Sequence, residues 1–143
     1  MAPLGWACLL ALPLGAYVWA SAAEPIATFP VSFAVATEDG SPVAEGAWID
    51  AELDVTETMF GERGVHFRAS QAAALEGRFA HIETREDRDA LAALVLPHVV
   101  NVFFVASLRD VDEPWRPRRG VHWHVRAHPE THFVIVASSA SPM

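Results

Sequence analysis

Val99-Val100-Asn101-Val102-Phe103-Phe104-Val105-Ala106-Ser107 is a short, almost unbroken apolar run rich in β-branched and aromatic residues. That composition suits a strand buried on both faces. The run from Thr131 to Ser138 has the same character, and Val31 to Thr37 is a weaker third. The chain has 143 residues, 52% of them hydrophobic, enough for one modest core. It therefore reads as one small sheet with helices packed on it.

Upstream of the central run, Pro97 ends a short helix expected over Arg85 to Leu94, where Thr84 and Asp87 resemble a capping box and Leu91 and Leu94 supply the apolar side. Gln71 to Leu75, before Gly77, offers a helical turn, and Val65-His66-Phe67-Arg68 alternates as a short strand. Gly61 and Gly64 are placed to end a helix in the left-handed conformation. That helix carries Trp48, Ile49, Leu53, Val55, Met59 and Phe60 at helical spacing, a stripe expected in the core, with Asp50, Glu52, Asp54, Glu57 and Glu62 interspersed. Ser41 is a candidate N-cap with Pro42 at the first helical position. Pro25 to Thr37 alternates as a strand with one wetter face. Strand, helix and strand in succession predict a parallel pair.

Downstream, Arg109 to Gly120 is charged and punctuated by prolines, so it is expected to be an exposed loop. Trp115 on that loop either covers a cleft or folds back on the domain edge. Gly120-Val121-His122-Trp123-His124-Val125-Arg126 has a period of two and one polar side. Such a strand belongs at the edge of a sheet, where its unpaired backbone is open to a partner. His128-Pro129-Glu130 is expected to turn the chain back into Thr131 to Ser138.

Leu4 to Ala20 is apolar and uncharged, and Ala20-Ser21-Ala22-Ala23 supplies the small residues of a signal-peptidase site. Residues 1–23 are thus expected to be removed before Glu24, giving a secreted or periplasmic domain over residues 24–143 with no stable membrane insertion after signal removal. Cys8 lies inside the signal, so the mature chain carries no thiol for a disulfide, a thiolate metal site or a nucleophile. The formal charge is −8 and every basic side chain is arginine. An acidic balance argues against nucleic-acid binding.

Two constellations bear on chemistry. In the cluster of His122, His124, His128 and His132, the first two lie two apart on a strand, share a face and offer two imidazoles to one ion, with a third ligand from the turn at His128. Histidines on the wet side of an edge strand are also ordinary surface residues. The second is the order of elements: the Val31-Ser32-Phe33-Ala34-Val35 strand, the helix ending in Met59-Phe60-Gly61, the Gly64-Val65-His66-Phe67 strand, the Asn101 to Val105 strand, the loop into Gly120-Val121-His122-Trp123, and the Phe133-Val134-Ile135-Val136 strand. Over roughly Pro30 to Pro142 this order resembles the N-terminal subdomain of metzincin-like zinc peptidases. The resemblance implies a mixed sheet whose fourth strand is an antiparallel edge that binds extended substrate by strand addition, and whose next strand leads into a zinc-binding helix. Here that edge is Gly120 to Arg126. Pattern and resemblance together predict an α/β (α+β) fold: a single small, mixed, mostly parallel five-stranded sheet with an antiparallel edge strand and two or three helices.

The family's zinc helix carries His-Glu-x-x-His, two imidazoles one turn apart with the glutamate as general base. No such sequence occurs in residues 1–143; His81-Ile82-Glu83 and His128-Pro129-Glu130 lack the second histidine. No zinc ligand or catalytic residue is therefore carried over. Zinc belongs to the complete family domain, and none is expected to bind this chain tightly. Ser139 and Ser141 sit in no Gly-x-Ser-x-Gly turn. Three readings stay open: an exported zinc-peptidase domain ending before its metal helix, a non-catalytic exported module that holds a peptide or protein on its edge strand (Gly120, Val121, His122, Trp123, His124), and a metal-binding protein using the histidine cluster. If the Thr131 to Ser138 strand is central, only two helices are available to cover it, and one face is expected to be partly bare.

Overall fold

The computed structural model describes residues 26–138; the expected signal peptide with Cys8, and Ser139 and Ser141, lie outside them. The β-branched and aromatic runs form the strands they promise. β1 (Ala27–Glu38), β5 (Val100–Val105) and β8 (His128–Ala137) lie side by side and parallel, with Val31 opposite Val100 and Val102 opposite Val134. β3 (Val65–Leu75) adds in parallel outside β1, and β7 (Gly120–Val125) adds antiparallel outside β8. The five main strands thus run β3-β1-β5-β8-β7, mixed and mostly parallel, with β7 at one edge. Among the described residues no helix is long and apolar enough to cross a membrane.

Several local expectations are corrected. Ser41 does not cap a helix: Ser41–Pro42 is a two-residue strand, β2, folded back on Thr37 and Glu38. Asp39 and Gly40 between them have φ of 51° and 79°, and this Asp-Gly pair is the tight hairpin turn that takes positive φ at both central positions. The first helix, α1 (Gly46–Gly61), begins only after Glu45, with no side-chain cap. Its apolar stripe is only partly core. Ile49 is buried and Trp48 and Leu53 are half-buried, but Val55, Met59 and Phe60 are 56%, 61% and 44% exposed. Gly61 stays within the helix, and it is Gly64 that turns left-handed (φ 73°); a Cβ there would lie 2.9 Å from Ile26 Cγ1.

The helical turn expected over Gln71 to Leu75 is instead the second half of β3. Alanine favours helices intrinsically, but this segment pairs with Ser32–Ala36 of β1 after a one-residue bulge at Ser70, and tertiary pairing outweighs a weak local preference. Glu57 ties α1 to this strand, accepting the Phe67 N–H at 2.8 Å and lying 2.8 Å from His66 Nδ1. The Phe67 amide first, and His66 second, hold its carboxyl below its usual pKa.

The capping box is as read: Thr84 accepts from the Asp87 N–H while the Asp87 carboxylate accepts from the Thr84 N–H, opening α2 (Arg85–Ala90), which tightens into a 3-10 turn over Leu91–Leu94. Two short strands, β4 (His81–Ile82) and β6 (Ser107–Leu108), form a separate parallel pair. The turn before β8 is at Arg126 and Ala127, so His128 is a strand residue.

The two sheet faces are covered unequally. Phe103, Val105, Phe133, Ile135 and Trp123 point to one face and pack with Phe79, Ile82, Leu91 and Leu108 in one cluster, the Phe103 and Phe133 rings meeting edge to face at 5.4 Å. Asn101 is buried on that side, its amide bonded to Leu96 N–H, Leu96 C=O and Val99 C=O. The opposite face has α1 alone. Trp48 meets Phe104 edge-on at 5.6 Å, and Ile49 packs with Val31 and Phe33. Val100, Val102, Val134 and Val136 are only half-buried there.

Candidate functional site: the β7 edge and the bare sheet face

The loop before β7 is organised by Asp110. One carboxylate oxygen accepts the N–H groups of Asp112 (2.8 Å) and Glu113 (3.1 Å), and the other accepts from Arg118, whose Nε lies at 2.6 Å. The Asp112 amide, the Arg118 hydrogen bond and the Glu113 amide together lower its pKa to about 2. Trp115 projects from this loop 75% exposed, neither folded back nor buried in a cleft.

β7 then runs antiparallel to β8. Arg119 C=O accepts from the Ala137 N–H, and hydrogen-bonded pairs alternate along an antiparallel ladder. Val121 and Trp123 therefore turn their backbone groups toward β8, opposite Ile135 and Phe133. Gly120, His122 and His124 turn theirs to the free edge. These are three of the five residues the sequence nominated, and the other two, Val121 and Trp123, anchor the strand.

Trp123 is the deeper anchor. Its indole N–H donates to Asp89 Oδ1 at 2.8 Å, and the Arg85 and Arg88 guanidinium carbons sit 5.0 and 4.7 Å from its ring centroid. Stacked cations of this kind contribute on the order of 0.5–1 kcal/mol each when exposed and more when desolvated. Arg88 is 3% exposed and donates to Arg109 C=O, but its Nε has no partner. Burial lowers its pKa, and nearby Asp110 opposes that shift. Sequence spacing gave no sign of this clamp, which joins α2 to a strand more than thirty residues away.

The histidines are regrouped. His122 Nε2 lies 3.1 Å from His132 Nδ1 with ring planes 6° apart and centroids 5.2 Å apart. So wide a separation of parallel rings means an in-plane N–H···N hydrogen bond, not face stacking. His124 is the third member, 6.0 Å from His132. His128, nominated as the turn ligand, is instead 3.5 Å from Glu130. It lies four residues before His132 on β8, opposite Val125, because the turn falls earlier. Among the described residues no group of three histidine, cysteine or acidic side chains is arranged to hold a metal ion.

His122, His124 and His132 lie on the half-covered face, in register with Val134 and Val136. Beside them a cavity of about 290 Å³ is framed by Ile49 and Leu53 of α1 and Val100, Val102, Phe104 and Val134 of the sheet. A second, of about 560 Å³, is lined by Val43, Trp48 and Ser138, and both include Glu52 and Val136. The two adjoin at those residues beside α1; the smaller is mostly apolar, while Glu45 and Arg119 also line the larger. Comparison of the chain with protein-family models, with curated proteins and with solved structures found no match.

Proposed function

We propose that this chain is the substrate-binding subdomain of an exported zinc peptidase of metzincin-like architecture, with the β7 edge taking an extended peptide and the zinc-binding helix supplied by residues C-terminal to this sequence. The observation that carries this reading is the groove beside α1. Its inner part is floored by Val31, Val100, Val102, Val134 and Phe104 beside Ile49 and Leu53 of α1, and it lies on the same face as His122 and His124, which are in register with Val134 and His132. The sheet order adds support, since the strand at the antiparallel edge precedes the strand one place in, the arrangement the resemblance implies.

The residues present do not fit a peptidase zinc centre. The His122 and His132 nitrogens are engaged with each other, no described trio converges on a point, and the sequence has no His-Glu-x-x-His. No catalytic step is assigned to this chain; its own part is to present the Gly120, His122 and His124 backbone groups as a template for strand addition. The test is the coding sequence beyond the Met143 codon, read in all frames, followed by expression of the extended chain. A His-Glu-x-x-His helix whose product holds stoichiometric zinc supports the proposal. Its absence, with the 143-residue chain monomeric and unfolding cooperatively, replaces it with the non-catalytic module that binds a peptide on the same edge.

A further inference from the structure

The covered face of the sheet is not filled to its β3 margin. One row across that face reads Ala73 on β3, Ala34 on β1, Phe103 on β5 and Ile135 on β8. Two adjacent methyl groups cannot fill the layer that a ring and a branched chain fill farther along. A cavity of about 190 Å³ is left between them and the cover of Phe79, Leu94 and Leu96. Its rim is Ala73, Glu76 and Leu94, all exposed, so it is open to solvent on the β3 side.

The floor holds one uncommitted polar side chain. Ser32 is 6% exposed and lines the cavity. Asn101, beside it in register, commits its amide to Leu96 and Val99, and Ser70 donates to Val31 C=O. Among the described residues the Ser32 hydroxyl is thus left with no hydrogen-bond partner. A buried hydroxyl in that state costs free energy until a ligand or solvent satisfies it. Among the described residues no cationic side chain lines the cavity, and Arg78 nearby is paired with Glu76 at 2.9 Å and lies over the Phe79 ring. Such a lining disfavours an anion. An apolar cavity of about 150 Å³ holds benzene, so this one takes a single ring with one polar substituent.

We infer that this cavity is a binding site for a small neutral molecule, a phenol or an alcohol of that size, whose oxygen hydrogen-bonds to Ser32 and whose hydrocarbon part lies against Phe79, Leu96 and Phe103. The inference goes beyond the reading of β7 as a peptide edge and stands without it. Phenol, toluene and benzoate are titrated against the full chain, with the leucine methyl resonances reporting where each binds. Phenol and toluene should shift Leu75, Leu94 and Leu96, and benzoate should bind at least about fivefold more weakly than phenol. Ser32→Ala, a nearly isosteric change, should lower phenol affinity about fivefold, the worth of one hydrogen bond, and leave toluene within about twofold. Ala73→Leu should remove both by filling the cavity, and Ala34→Val is the second filling variant should the first not fold. Shifts confined to other methyl groups, no binding of phenol or toluene at millimolar concentration, benzoate as tight as phenol, or binding retained in a folded filling variant each overturns the site. An equal loss of phenol and toluene affinity in Ser32→Ala, or no loss of either, overturns the assignment of an oxygen-bearing ligand to Ser32.

Discussion

The two faces of one sheet, built from alternate residues of the same strands, differ in how completely the chain covers them. Phe103, Phe133 and Ile135 are at most 2% exposed beneath the layer from Phe79 to Leu108, whereas their neighbours Val102, Val134 and Val136 are half-buried beside α1. Apolar periodicity is as strong on one face as on the other. The difference lies in what packs on it: a strand sequence fixes which residues face each side, and the tertiary fold sets how completely each side is covered.

The largest expected effect follows from the finished face. Phe103→Ala removes a fully buried ring that meets Phe133 and should destabilise the domain by roughly 3–5 kcal/mol in denaturant unfolding. A value near that of a surface substitution would erase the distinction between the faces. Asn101→Ala should cost about 1–3 kcal/mol, since it strands the Leu96 N–H and two carbonyls that its amide satisfies. Thr84→Ala, which deletes the capping box beneath the Trp123 clamp, should cost about 1 kcal/mol. Val134→Ala on the half-covered face should cost less than about 1 kcal/mol in this chain.

Acid sharpens the comparison at the edge loop. Asp110 has a folded pKa of about 2, below the roughly 3.9 of an unfolded aspartate. The stability it contributes is complete above the unfolded value and is lost as pH falls through the folded one. Unfolding followed between about pH 4 and pH 2 should therefore show a smaller loss of stability in Asp110→Asn than in the parent chain.

The parts legible in the sequence were those whose cause is local or strictly periodic. Val100 to Val105 and the final strand announce themselves by composition, Thr84 and Asp87 by spacing, and Gly120 to Val125 by alternation. The Gln71–Leu75 strand was not legible, because its alanines favour a helix and only pairing with β1 holds them extended. The exposure of Val55, Met59 and Phe60 was equally hidden, since a helical stripe does not reveal how wide a surface it meets. Asp39-Gly40 did carry a local hairpin signal, and Ser41-Pro42 after it imitated a helix start. At the site, the histidine spacing placed His122 and His124 on one face, but the third partner depended on where a two-residue turn fell. Arg85, Arg88 and Asp110 had no signal pointing to β7, because only the tertiary fold brings them together.

The proposal that a further helix packs on the groove beside α1 can be tested directly. Valine and isoleucine methyl relaxation by a soluble paramagnetic agent tests it, first on this chain and then on one extended through its downstream coding sequence. Relaxation should be greater at Val100, Val102, Val134 and Val136 than at Val105 and Ile135 in the present chain, and the four half-buried valines should be protected once the chain is extended. Equal protection of both sets in the present chain, or unchanged exposure of the four valines in the extended one, would contradict it.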